Sequence, residues 1–330
     1  MAHILEVKEL EVTFSGDGGN TISADHVSFS VDSGEIVCLV GESGCGKSVT
    51  ALSVMGLLGR KGKVTSGSVL FKGQELLNMK PQELDRIRGN RLTMIFQDPL
   101  SSLNPVFPVG KQVEESILTH MGTDREKAGA RALMLLQKVG LKDAAAVMKK
   151  YPHQLSGGMR QRVMIAMALA CNPELVIADE PTTALDVTIQ AQIMGLIRRL
   201  REELGMAVLL ITHDMGVVAQ MADRVLVMYA GQIIEQAPVL ELFDHPVHPY
   251  TRALLRSVPS ITRGRDSELV SIKGIVPEHY DRLEGCRFAE RCPYRQEKCG
   301  APQEERPVKL TGAQGPHSLH LVRCCRAGEV

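Results

Sequence analysis

An α/β fold built on a mainly parallel sheet is what this 330-residue sequence predicts, and three observations predict it. Short apolar runs alternate with helix-length segments from Val37 to Ile211. One run, Ile36-Val37-Cys38-Leu39-Val40, leads straight into GESGCGKS, Gly41 to Ser48, which matches G-x-x-x-x-G-K-[ST]. Ahead of it, Ile4-Leu5-Glu6-Val7 and Val27-Ser28-Phe29-Ser30-Val31 alternate around the turn-rich Ser15–Asn20, which adds antiparallel hairpin material.

Taken in order, the parallel part predicts a helix over Ser48–Leu58 and strands at Thr93–Phe96, Leu175–Ala178 and Ala207–Ile211, with a helix over Val187–Leu204 between the last two. Between Asp98 and Met159 the period turns helical, as in Glu126–Val139, so a helical subdomain is placed at about 98–160. After about Pro238 the regular alternation ends, and Pro246, Pro249, Pro277, Pro293 and Pro307 punctuate a tail of little periodicity. No internal repeat is visible.

Composition narrows the function classes. The 38 basic and 38 acidic residues cancel, which argues against a chain held on nucleic acid by bulk charge. No apolar run approaches the ~18 residues of a spanning helix, and no signal peptide is read at the start, so any membrane role is expected to come through partners. Three of the eight cysteines, Cys38, Cys45 and Cys171, are scattered, whereas Cys286, Cys292, Cys299, Cys324 and Cys325 cluster near the end. In a cytosolic chain that clustering points to metal rather than disulfides.

The chemistry of the Gly41–Ser48 loop is set by its residue types. Glycines let successive N–H groups turn inward and cradle anionic oxygens at a helix start. Lys47 would reach the β/γ-phosphates and the Ser48 hydroxyl would bind Mg2+. Leu175-Val176-Ile177-Ala178-Asp179-Glu180 is an apolar strand ending in two carboxylates: Asp179 suits the Mg2+ shell, and Glu180, pointing elsewhere, suits a general base for an attacking water. Gln97 ends another strand, where an uncharged amide can meet Mg2+ or water and still swing away. His213 leaves the Ala207–Ile211 strand at the sheet edge where ligands bind. Leu155-Ser156-Gly157-Gly158-Met159-Arg160-Gln161 reads as a helix start capped by Ser156, with open N–H groups for an anion.

With those stretches in this order, residues 4 to 236 resemble an ATP-binding-cassette ATPase. In that resemblance Gly41–Ser48 is the Walker A loop, Gln97 the Q-loop, Leu155–Gln161 the signature, Asp179 the end of Walker B, Glu180 the catalytic acid, Ala184-Leu185-Asp186 the D-loop and His213 the switch. It implies a P-loop core with a mixed sheet, an antiparallel β subdomain and a helical subdomain. It also implies a head-to-tail dimer that sandwiches ATP between one chain's Walker A and the other's signature. The nucleotide-binding set it implies is Phe14, for adenine stacking, with Gly41, Ser43, Gly44, Cys45, Gly46, Lys47, Ser48, Val49, Gln97, Asp179, Ser156, Gly157, Gly158, Gln161 and Asp186. Glu180, His213 and Gln97 are the implied catalytic group, and Ser48, Gln97 and Asp179 the implied Mg2+ ligands.

Three further stretches narrow the resemblance: Gln97–Pro105, Ala178–Thr188 and His248-Pro249-Tyr250-Thr251. They are similar to the ATPase subunits of oligopeptide, dipeptide and nickel importers. That likeness leads us to expect an ATPase core over 1–237 and a small Cys-rich regulatory or metal-binding region over 238–330. The implied activity is transport-coupled ATP hydrolysis at the cytoplasmic face of the cell membrane. The implied partners are a second, homologous ATPase subunit, two transmembrane permease subunits and, indirectly, an extracytoplasmic peptide-binding protein. Alternatives are a cassette ATPase acting on ribosomes or DNA, or an importer of nickel or another small solute.

In the tail, Cys286-x5-Cys292-x6-Cys299 followed by Cys324 or Cys325 supplies the four thiolates of a tetrahedral zinc or a [4Fe–4S] cluster. The spacings are wider than the C-x2-C knuckles usual for zinc. "GCRFAERCPYRQEKC" resembles iron–sulfur-binding forms of the subfamily, which favours the cluster over Zn2+, and Val322-Arg323-Cys324 best matches the subfamily's closing pattern, which favours Cys324 as the fourth ligand.

Overall fold

A computed structural model describes residues 3–16, 19–183, 185–257, 272–277, 279–308 and 319–327. The chain divides into two compact units, each gathered from separated segments: Met1–Ile4, Val31–Glu35 and Phe71–Leu210 form the first, and Leu5–Ser30, Ile36–Leu70 and Ile211–Val330 the second.

In the first unit, strands Leu92–Ile95 and Leu175–Asp179 pair in parallel, Leu92 opposite Leu175 and Ile95 opposite Ala178. Every residue of Leu175–Asp179 is buried, as an apolar strand in a parallel sheet requires. The helical portion holds Val109–Met121, Arg125–Lys138 and Gly157–Ala168. Each boundary has a local cause: Gly122 ends the first in a left-handed conformation, and the Asp124 carboxylate accepts from the Lys127 N–H at 2.9 Å to start the second. Val187–Leu204 coincides with the expected helix. Asp186 caps it through the Ile189 N–H at 2.9 Å, Gly205 closes it in the left-handed region, and Ile193, Met194, Leu196, Ile197 and Leu200 form its buried stripe.

The second unit holds Leu5–Gly16 and Gly19–Val31, neighbours in one sheet, with Gly62–Phe71 on the other side of Leu5–Gly16. Its other strands run in the order Arg306–Pro307, Leu321–Val322, Gln232–Pro238, Arg224–Tyr229, Ile36–Val40. Ile36–Val40 is buried throughout and parallel to Arg224–Tyr229, and Gln232–Pro238 returns antiparallel. The two-residue turn between those last strands, Ala230-Gly231, has φ of 46° and 86°. Positive φ at both central residues is the geometry that matches the twist of a hairpin. The helix after the Gly41–Ser48 loop is Lys47–Val54, shorter than the expected segment.

Beyond Pro238 the chain is more regular than its periodicity implies. Val239–Asp244 and Pro249–Arg256 are helices, and the two-residue strands Arg306–Pro307 and Leu321–Val322 extend the sheet. The buried Glu235 organises this region, its carboxylate accepting from the Val247 N–H at 2.7 Å and the His248 N–H at 3.0 Å, with His320 Nε2 at 2.8 Å. Among the described residues no helix is long and apolar enough to cross a membrane.

His248 caps the Pro249–Arg256 helix with Nδ1, which accepts from the Tyr250 N–H at 3.0 Å and therefore must be unprotonated. Burial pulls its pKa from 6.5 down to about 4, against the opposing charge of Glu235. The unfolded chain takes up this proton at higher pH than the folded one. The contribution is therefore complete above about pH 6.5 and is lost as pH falls toward 4. Urea denaturation across that range should show stability falling with acid. His248→Asn, which keeps a capping acceptor without a titrating ring, should flatten that limb.

Candidate functional site

The Gly41–Ser48 loop is shaped by how closely its backbone passes its neighbours. A β-carbon at Gly46, where φ is +107°, would stand 2.4 Å from the Ser23 carbonyl oxygen, and one at Gly41 would stand 2.1 Å from the Met228 carbonyl oxygen. Neither approach tolerates a side chain. Inside the loop the Lys47 ammonium, 5 % exposed, donates to the carbonyls of Gly41 at 2.8 Å and Glu42 at 2.9 Å and approaches Cys45 Sγ at 3.8 Å. Ser43 and Gly44 are exposed, Ser48 and Val49 half-buried. Lys47–Val54 starts here, so its first N–H groups and the positive end of its dipole face the loop. Such an arrangement can receive anionic oxygens, with a cation and a hydroxyl at its helix start.

The same unit contains Phe14, whose ring lies against Gly62, a β-carbon there being 2.9 Å from Phe14 Cε1. It also contains the exposed His213, immediately before Asp214, whose carboxylate accepts from the Gly216 and Val217 N–H groups at 2.8 and 3.2 Å to cap Met215–Met221.

The other expected site residues lie in the first unit. Asp179, 5 % exposed, ends its strand, and Glu180 follows with φ of +43°. A non-glycine residue in that region is strained, and such strain concentrates at functional positions. Gln97 Nε2 donates to Glu180 Oε2 at 3.1 Å and Thr183 Oγ1 donates to the same oxygen at 2.9 Å, so the carboxylate is aimed from two sides. This joins Gln97 to Glu180 directly. Sequence reasoning misses Thr183, whose one signal is its place three residues after the acid in the same loop. Ser156 caps Gly157–Ala168, accepting from the Met159 N–H at 3.4 Å. Ser156 and Gly157 are exposed, and a β-carbon at Gly158 would lie 2.9 Å from Ile189. Gln161 is 2 % exposed, with no hydrogen-bond partner at Nε2. Asp186, the cap of Val187–Leu204, is exposed, and Ala184 lies outside the described residues.

The five C-terminal cysteines line one cavity with Phe288 and Tyr294. Cys299 and Cys325 place their sulfurs 3.7 Å apart, yet no three of the five sulfurs lie within 4.8 Å of one another. Burial pushes the Cys286 thiol up to about 12, and the neighbouring Cys299, Cys324 and Cys292 add to that shift. Burial likewise raises Cys292, Cys324 and Cys325.

Known proteins resemble this chain as follows. A family model described as ABC transporter matches residues 24–183, and one described as Oligopeptide/dipeptide transporter, C-terminal region, matches 234–299. A probable peptide ABC transporter ATP-binding protein of Sinorhizobium fredii, y4tR, is 51 % identical over 99 % of this chain and 96 % of its own. The oligopeptide transport ATP-binding protein AppD of Bacillus subtilis is 49 % identical over 98 % and 97 %. The dipeptide transport ATP-binding protein DppD of Escherichia coli is 46 % identical over 94 % and 95 %. Among solved structures, a post-hydrolysis dimer of the ATP-binding cassette MJ0796 bound to ADP and Pi superposes with a TM-score of 0.65 at 30 % identity, covering 71 % of this chain and 98 % of that one.

The close approaches at Gly41 and Gly46 set a test of the loop. Gly46→Ala should lower the thermal midpoint by several degrees, because backbone strain and a backbone clash together cost roughly 1–3 kcal/mol or more. Gly44→Ala, which meets nothing within 4 Å and bears only the strain of φ +78°, should cost less. Differential scanning calorimetry of the two variants measures the difference.

Proposed function

The chain belongs to the ABC transporter ATP-binding family, and from that premise we propose that it is the ATP-hydrolysing subunit of a membrane importer for dipeptides or oligopeptides. The observation that carries the reading is near full-length likeness to peptide and dipeptide transport ATP-binding proteins, which includes the C-terminal region as well as the cassette. The same likeness favours peptide import over action on ribosomes or DNA. The division into an ATPase part, 1–237, and a C-terminal part, 238–330, is supported by the two family matches, which fall on 24–183 and 234–299.

In this reading Lys47 and the loop amides bind the β/γ-phosphates, and Phe14 offers a ring face to adenine. Ser48, Gln97 and Asp179 would supply hydroxyl, amide and carboxylate oxygens, ligand types that suit Mg2+. Bound there, Mg2+ would neutralise charge on the phosphate oxygens. Glu180 is the base that takes a proton from water. Gln97 and Thr183 hold its carboxylate in one orientation, and Gln97 links the acid to the helical portion of the same unit. His213, beside the well-anchored Asp214, is the switch residue. Ser156, Gly157, Gly158, Gln161 and Asp186 belong to the signature and D-loop that serve the partner ATPase's nucleotide in a head-to-tail dimer. The proposed partners are a homologous ATPase subunit and two permease subunits. The exposed apolar side chains Leu100, Val106 and Phe107, close in sequence to Gln97, support contact with apolar elements of such a permease.

For the tail we read a [4Fe–4S] cluster on Cys286, Cys292, Cys299 and Cys324, with Cys325 as the competing fourth ligand. Zinc in a tetrahedron of ~2.3 Å bonds would draw its thiolate sulfurs to roughly 3.8 Å from one another. Cys299 and Cys325 stand at that spacing, while no three of the five sulfurs do, so the reading of a cluster rests on the likeness of the cysteine segment and on the five cysteines sharing one cavity. Bound by those four cysteines, a cluster would tie the separated segments of the tail together.

Glu180→Gln should keep ATP bound while steady-state hydrolysis falls at least about a hundred-fold, the usual scale for losing a general base. ATP-dependent dimers should then accumulate on size exclusion. Turnover within a few-fold of wild type would remove Glu180 from the role. For the tail, anaerobically purified protein should carry about four irons per chain, and Cys292→Ser should bleach it. Colourless protein with stoichiometric zinc would select the other metal.

A further inference from the structure

The phosphate loop is gripped from outside by the C-terminal region. The Arg291 guanidinium, its side chain only 5 % exposed, makes a two-pronged ion pair with Glu42, Nη1 to Oε2 at 2.6 Å and Nη2 to Oε1 at 3.0 Å. The Glu42 N–H donates to Tyr250 Oη at 2.9 Å, and the Glu42 carbonyl accepts from Lys47 at 2.9 Å. Glu42 is thus held through its side chain, its N–H and its carbonyl, and the last of these bonds is to the loop lysine itself.

Arg291 is in turn fixed on several sides. It donates to Tyr229 Oη at 3.3 Å and to the Lys273 carbonyl at 3.0 Å, and it lies over the rings of Tyr229 and Phe288 at 5.7 and 5.9 Å. Tyr229, Tyr250 and Phe288 pack with ring centroids 4.7 to 5.5 Å apart. In sequence Arg291 directly precedes Cys292, and Phe288 lies between Cys286 and Cys292. A planar fork against a carboxylate, stacked on aromatic faces, is an arrangement that arginine makes and lysine cannot copy.

We propose that Arg291 and Tyr250 are positioning residues for the phosphate loop: by clamping Glu42 they hold the loop's backbone and Lys47 in the nucleotide-binding geometry, so that ATP affinity depends on the order of the cysteine-rich segment. The proposal rests on the reading of Gly41–Ser48 as the ATP loop. Neither residue touches nucleotide in this scheme; both act through Glu42.

Calorimetric titration of the full chain with MgATP tests it. Arg291→Ala and the near-isosteric Glu42→Gln should each weaken binding about ten-fold, and the double variant should be no worse than the weaker single, as for two ends of one interaction. Arg291→Lys should recover part of the loss. In hydrolysis assays the KM for ATP should rise while kcat stays within about two-fold, since Glu180 is untouched. Thermal melts separate this from simple loss of structure: affinity should track the identity of residue 291, with Lys and Ala differing in binding more than in midpoint. Unchanged affinity in Glu42→Gln, losses that add in the double variant, or Lys and Ala equal in binding would each overturn the clamp. Lys47→Ala serves as the control for the loop. A wild-type chain that binds no ATP would sink the nucleotide reading itself, whereas ATP-binding protein indifferent to Glu42 and Arg291 would sink the clamp alone.

Discussion

The second unit depends on one steric constraint: the Gly41–Ser48 loop runs so close to Met228, at the end of the Arg224–Tyr229 strand, and to the Ser23 carbonyl that residues 41 and 46 have no room for a β-carbon. That approach fixes the position of the turn after the strand. The Ala230-Gly231 turn comes close enough for its amide to donate to the Cys45 carbonyl at 2.9 Å, and for its carbonyls to receive Arg287 and the Asp25 N–H. Arg287 also meets Asp25. Burial alone would raise the Asp25 pKa, but the hydrogen bond with His26 and the charge of Arg287 hold it below the ordinary range. A turn that normally serves only to reverse a hairpin therefore becomes the meeting point of the loop, the N-terminal sheet and the tail.

The C-terminal region is correspondingly poor in extended apolar stretches and rich in specific polar anchors. Arg287, Arg291, Glu235 and His320 are each paired, and the aromatic trio of Tyr229, Tyr250 and Phe288 fills the space between them. Breaking one member of such a pair leaves a charge in a poorly solvated place, which costs more than the pair contributes when intact. The region is thus specified by a few close matches, and Phe288 of the trio also lines the cysteine cavity.

Much of the fold was legible because local chemistry repeats. Val187–Leu204 announces itself by a capping Asp186, a 3.6-residue apolar stripe and Gly205. The tight course of the Gly41–Ser48 loop was readable from Gly41 and Gly46 because sterics admit few alternatives there. The bond between Glu180 and Gln97, 83 residues apart, was not readable, since it depends on how segments distant in sequence meet. The same holds for Arg291 with Glu42, 249 residues apart, and for Arg287 with Asp25, 262 apart, which leave no periodic trace. The available hint was that both arginines, four residues apart, flank Phe288 within the cysteine segment. The helix Pro249–Arg256 was hidden for another reason: its cap is a histidine, outside the Ser, Thr, Asp and Asn set that marks helix starts.

The tail strands have a consequence in time. Leu321 and Val322 pair with Gln236 and Glu235, and the Arg323 N–H donates to the Ile234 carbonyl at 2.7 Å, so one side of Gln232–Pro238 is covered by nearly the last described residues. Until they pair, that side of the strand has unmatched amides and carbonyls, and Glu235 lacks its contact with His320. Completion of that edge therefore waits on a segment far along the chain, and in the interval the strand is an open β-edge of the kind that most readily pairs with a neighbouring chain.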